Sequence, residues 1–96
     1  MTNKEKQAYL EYLQEYCQSR GYYRERAKEY YQAGNREVGE VLTMDVREMS
    51  REIQTIKEVG ERMGITGDVI SSAIDAAEAK GEKIAYDTRE VTYNAK

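Results

Sequence analysis

The chain predicts an all-α fold: two long amphipathic helices packed as a hairpin, plus a shorter third helix. Three observations carry this expectation. There is no Pro in 96 residues, and Pro is the residue that most severely breaks a helix interior. Leu42, Val46, Met49, Ile53, Ile56, Gly60 and Met63 keep a four-three-four-three spacing, the period of a coiled-coil-like seam. Tyr9, Leu13, Tyr16, Tyr23, Ala27 and Tyr30 recur at steps that fit one face of another helix.

The first helix is expected over residues 3–34. Thr2 and Glu5 form a capping box at its start, and Gly34 can cap its end. Leu10, Tyr12, Cys17 and Tyr31 widen its apolar face, Arg20 interrupts it, and Gly21 is expected to bend it. At 1.5 Å per residue such a helix is about 45 Å long. It must therefore pack against another long helix or another chain.

The second helical region is expected over 36–63. Val38, Val41 and Val59 broaden its seam toward a globular core face. Two forms compete: one continuous helix, or a break near Gln54 with Thr55 capping a new helix. The unbroken period and the absence of Gly from Val41 to Val59 favour continuity.

Gly64 is placed to hold a left-handed C-cap, and Thr66 can N-cap a third helix with Asp68 in its first turn. That helix is expected over 67–80. Val69, Ile70, Ala73, Ile74 and Ala77 would face inward, Ser71, Ser72, Asp75 and Glu78 outward, and Gly81 would end it. Over 82–96, Ile84 and Tyr86, then Val91 and Tyr93, alternate on either side of Asp87-Thr88-Arg89-Glu90. This pattern favours a small wing-like β-hairpin or an irregular tail. The alternative is a helix continuing through Ile84, Thr88 and Val91.

Length and composition point to a single domain, 1–96, with a modest core. The net charge is −3 and the pI about 5.1, which argues against indiscriminate nucleic-acid binding. The N-terminus, MTNKEKQAYLEYL, has no signal-peptide core, and no apolar run approaches 18 residues. A cytoplasmic protein without membrane contact is the expectation.

Enzymatic chemistry finds little support. Histidine is absent, which removes the usual base and metal ligand. Cys17 has no second Cys to pair with and reads as a buried small hydrophobe. Asp45, Glu48 and Glu52 form a like-charge row that could hold a divalent cation, but a solvated surface is the better reading. There is no phosphate-binding glycine loop. A non-enzyme without cofactor, resident metal or small-molecule substrate is expected.

Arg20, Arg24 and Lys28 make a basic stripe flanked by Tyr22, Tyr23, Tyr30 and Tyr31. Such a stripe suits single-stranded nucleic acid, but a protein interface suits it better. The expected interface residues are Tyr9, Leu13, Tyr16, Tyr23, Tyr30, Leu42, Met49 and Ile53. Two helices of this length expose more apolar face than a short third helix covers, so a homodimer is expected.

Residues 55–75 carry a more specific pattern. Thr55 and Glu58 can form a capping box, and Ile56, Val59, Gly64, Ile65, Thr66, Ile70, Ser71, Ala73 and Ile74 complete the pattern. The stretch resembles the helix-turn-helix motif of lactose-repressor-type regulators. Gly60 stands where that family usually has Ala, Gly67 sits in the first turn of the recognition helix, and that helix has no cation before Lys80.

The resemblance implies a small sequence-specific DNA-binding regulator whose partner is duplex DNA. Thr66, Gly67, Asp68, Ser71 and Ser72 would approach bases, while Lys57, Arg62, Lys80 and Lys83 would contact phosphates. The alternative is a small acidic helical interaction module. It would be a phage or mobile-element inhibitor or adaptor occupying the basic groove of a host protein. Motif spacing favours the first and charge favours the second, with DNA binding preferred narrowly. A secretion substrate is a distant third: Tyr86 and Glu90 fit a Y-x-x-x-[DE] signal, but there is no W-x-G turn.

Overall fold

The computed structural model describes residues 2–89. Three α-helices make up most of them: α1 (Asn3–Gln32), α2 (Arg36–Arg62) and α3 (Gly67–Asp87). Among the described residues there is no strand and no helix long and apolar enough to cross a membrane. α1 is the central helix. α2 and α3 both pack along it and touch each other little.

Local chemistry sets most helix ends. The Thr2 hydroxyl accepts from Glu5 N at 3.1 Å while the Glu5 carboxylate accepts from Thr2 N at 2.9 Å, closing the capping box. α1 and α2 finish in the same way. Asn35 N and Gly34 N donate to the Tyr30 and Tyr31 carbonyls, and Ile65 N and Gly64 N donate to those of Gly60 and Glu61. This Schellman pattern requires a positive φ at the residue after the cap, and Gly34 (84°) and Gly64 (100°) supply it. The Asn35 and Thr66 side chains then N-cap α2 and α3.

The core gathers Leu13 and Cys17 from α1, Ile53 from α2, Ile65 from the turn, and Ile70 and Ala77 from α3. Tyr9 closes one end. Its hydroxyl donates to the Ile56 carbonyl at 2.5 Å, and its ring lies where a Cβ on Gly60 would stand. Leu42, Val46 and Met49 of the same seam are only half-buried.

Of the two forms weighed for the second region the favoured continuous helix is the one formed, and two further expectations need correction. Thr55 caps nothing: α2 is unbroken, and the Thr55 hydroxyl donates back to the Arg51 carbonyl at 3.3 Å, a bond that a mid-helix Thr commonly makes. The third helix does not stop at Lys80. It runs through Gly81 to Asp87, with Thr88 as its C-cap. The first arm of the proposed hairpin, Ile84 and Tyr86, is therefore helical, while Val91 and Tyr93 lie outside the described residues. Val69, expected inward, is 38% exposed.

The reason α3 continues is a close helix crossing. A Cβ on Gly81 would overlap the Gln18 carbonyl of α1, and a Cβ on Gly21 would overlap the Glu78 carbonyl of α3. Each glycine is the notch into which the other backbone fits. Gly21, expected as a bend, is the α1 side of this contact. Helical glycine costs about 1 kcal/mol relative to alanine, and burial at the crossing offsets that cost.

Two outcomes test this packing. Gly81→Ala should lower stability by about 1–3 kcal/mol through overpacking, although alanine is the better helix former. Gly67→Ala, whose Cβ would meet only the Glu61 carboxylate at 3.6 Å, should be neutral or stabilising by up to about 1 kcal/mol. Chemical denaturation of both variants measures the difference.

A third outcome concerns pH. Burial pushes the Cys17 thiol from 9.0 up to about 11. Folding thus favours the neutral thiol, so this contribution is complete below pH 9 and is lost as pH rises toward about 11. Cys17→Ala should lack that part of the alkaline decline in a denaturation series across the same range.

Candidate functional site

The basic stripe on α1 is paired with carboxylates of the same chain. Arg20 Nε donates to the Glu78 carboxylate, and Arg20 Nη1 donates to the Ser50 hydroxyl at 3.1 Å. One side chain thus ties α1 to both neighbours. Arg24 reaches Glu82 at 3.2 Å and Glu78 at 3.3 Å, and Lys28 reaches Glu25 at 3.4 Å. The Arg20 and Glu78 side chains are only 15% and 16% exposed. Glu78 therefore faces α1, not solvent as the helical pattern suggested.

On the same helix, Arg26 and Glu29 are buried together, with 2.7 Å between Nη1 and Oε1. Arg26 also donates to the Tyr22 hydroxyl at 2.7 Å and to the Thr88 carbonyl and hydroxyl at 3.2 Å each. A cation on the carbonyl of the α3 C-cap complements the negative end of the helix dipole. Burial alone would depress the Arg26 pKa; the bonds to Tyr22 and Glu29 hold it above its ordinary value.

The residues assigned to DNA lie around the turn and along α3. Thr66 uses its hydroxyl to cap α3. Arg62, Gly67, Asp68, Ser71, Ser72 and Lys80 are exposed, Lys57 is half-buried on α2, and Lys83 is held by Asp87 at 2.7 Å. The exposed carboxylates Glu58, Glu61, Asp68 and Asp75 share this region. Its surface is therefore not a positive patch.

The expected interface residues divide into two groups. Leu13 and Ile53 are buried and Tyr9 closes the core, so these three serve the fold of the single chain. Tyr16, Tyr23, Tyr30, Leu42 and Met49 are half-buried. Tyr12, Val41, Val59 and Met63 are 42–58% exposed. Tyr16 sits between α1 and α2, where burial and then the nearby Glu52 carboxylate raise its pKa. Its ring centroid is 6.1 Å from that of Tyr12.

Two grooves flank α1. One, of about 350 Å³, is lined by Glu11, Gln14, Glu15, Gln18, Ala76, Ala77 and Lys80. The other, of about 280 Å³, is lined by Ala27, Tyr31, Thr43 and Val46 with the stems of Arg24, Lys28 and Gln32. Among the described residues no group of three or more potential ligands is placed to hold a metal ion.

Sequence reasoning missed the internal use of Arg20, Arg24 and Arg26. The available signal was the i, i+4 spacing of Glu78 and Glu82 on α3, which matches that of Arg20 and Arg24 on α1. No family model, curated protein or solved structure matches the chain.

The two kinds of carboxylate on α3 should separate on mutation. Glu78→Gln removes the counter-charge of a mostly buried guanidinium and should cost about 1–3 kcal/mol. Asp75→Asn, on the solvent face, should stay within about 0.5 kcal/mol. Thermal melts at neutral pH and moderate salt provide the comparison.

Proposed function

We propose that this protein is a small acidic helical interaction module that binds another protein through a basic site, as an inhibitor or adaptor does. The observation that supports this reading is where the charges go. Arg20, Arg24 and Arg26 are committed to Glu78, Glu82 and Glu29 within the chain. Because each of these pairs is neutral, the net charge of −3 rests on the other charged groups, and the surface offered to a partner is anionic. Such a surface attracts a cationic partner and repels phosphate. A phage or mobile-element origin suits so small a module.

A second reading has its own support. The likeness of residues 55–75 to lactose-repressor-type motifs accompanies a glycine-capped turn at Gly64, a Thr66 cap and an exposed Ser71-Ser72 pair. On this reading the chain is a DNA-binding regulator acting as a homodimer, with Lys57, Arg62, Lys80 and Lys83 setting affinity. Four phosphate contacts per chain would give a log–log salt slope of about −3 to −4.

Fluorescence anisotropy with a pool of random duplexes at about 50 mM salt, where phosphate contacts are strongest, separates the two. The expected result is no binding. Salt-sensitive duplex binding whose sequence preference weakens in Ser71→Ala/Ser72→Ala would reverse the order of the two readings.

A further inference from the structure

The α1/α2 hairpin leaves one long face uncovered. Along α2, Val41, Asp45, Glu48, Glu52, Val59 and Met63 recur at steps of three, four or seven, so they line one side of the helix. Tyr12 and Tyr16 of α1 stand beside the middle of this row, where the nearby Glu52 and Glu48 carboxylates reinforce the effect of burial on Tyr16. The face thus has apolar ends and an acidic centre. α3 packs elsewhere on α1, through Gly81, Glu78 and Thr88 against Gln18, Arg20 and Arg26, and leaves this face open.

The acidic centre is not balanced from within. Asp45 and Glu52 form no ion pair with any described residue, and Glu48 meets Arg51 only at 3.9 Å with both side chains at least 75% exposed. Like charges at steps of three and four repel along a helix. A second copy does not suit the face, because a two-fold axis near the middle of α2 would set these carboxylates against their own images. Nucleic acid would meet the same repulsion. A cation-bearing partner relieves it.

We infer that the α1/α2 face, from Val41 to Met63 with Tyr12 and Tyr16, docks an amphipathic helix of a partner protein whose Lys or Arg residues lie over Asp45, Glu48 and Glu52 and whose apolar residues cover both ends. This rests on the interaction-module reading and adds the surface and the chemistry of the occupant. Val41 to Met63 spans about 33 Å at 1.5 Å per residue, so the occupant is a helix of about 20 residues. Side-chain ridges on two antiparallel helices leave a groove that accepts a third helix. Apolar contact at the ends supplies affinity, and the central charges fix register and exclude anionic competitors.

The test uses the full chain, labelled with ¹⁵N, and three peptides of about 20 residues, the length set by the helical rise. The first places Leu at helical spacing with Lys in the central turns. The second replaces Lys by Glu. The third has the composition of the first with its spacing scrambled. Only the first is expected to shift amide resonances, centred on residues 12–16 and 41–63, with affinity falling as salt rises.

The triple variant Asp45→Asn/Glu48→Gln/Glu52→Gln is exposed throughout and should keep its melting temperature. It should weaken that peptide at least about tenfold, while Asp68→Asn/Asp75→Asn should leave binding unchanged. Equal binding of the scrambled peptide overturns the inference. So does self-association to twice the 11.1 kDa chain mass that Val41→Ser/Val59→Ser abolishes. Shifts centred on Asp68 and Asp75 overturn this surface but leave the acidic-module reading standing. Binding of duplex DNA with no response to any peptide removes both.

Discussion

The close approach of α1 and α3 at Gly21 and Gly81 is the constraint on which the remaining architecture depends. With no side chain at either position, each backbone can sit against the other. That distance brings Arg20 and Arg24 within reach of Glu78 and Glu82, and it carries α3 onward until Thr88 meets Arg26. A larger residue in either notch would move α3 outward. The guanidinium groups would then lose partners that cannot follow, because a mostly buried charge without its counter-ion is strongly unfavourable.

That crossing also decides what remains for function. Because α3 is held by the face of α1 that carries Gln18, Gly21 and Arg26, the side of the hairpin bearing Tyr12, Tyr16 and the outer residues of α2 has no third helix over it. Tyr is the only aromatic residue type in the chain, and it suits both settings. Tyr9 buries its ring against Gly60 and gives its proton to a carbonyl. Tyr12 is 54% exposed, a setting that a ring with a polar hydroxyl tolerates. One residue type thus serves as core filler at one turn of α1 and as surface at the next.

Charge is partitioned by the same geometry. A count along the sequence gives 15 cationic and 18 anionic side chains, which looks nearly balanced. In three dimensions the arginines of α1 turn toward α3, while Asp45, Glu48 and Glu52 of α2 stay in solvent. The internal pairs are neutral, so the net charge of −3 stays with the remaining groups, and the outer row of α2 is locally acidic. The proposed module and its docking face both follow from this separation.

The sequence by itself determined the helix ends governed by local bonds. Thr2 with Glu5, Asn35, Thr66, Gly34 and Gly64 act on atoms within five residues of themselves, so their roles were legible without a fold. The seam through Ile53 and Gly60 and the burial of Cys17 were legible from helical period. Tertiary structure decided the remainder. Gly81 looked like a stop because glycine often ends a helix, and only the Gln18 carbonyl beside it shows why the helix passes through. Glu78 looked solvent-facing because its helical position is polar, yet Arg20 lies 58 residues away in sequence. Local pattern cannot reveal such outcomes, because each depends on a partner that only folding brings near.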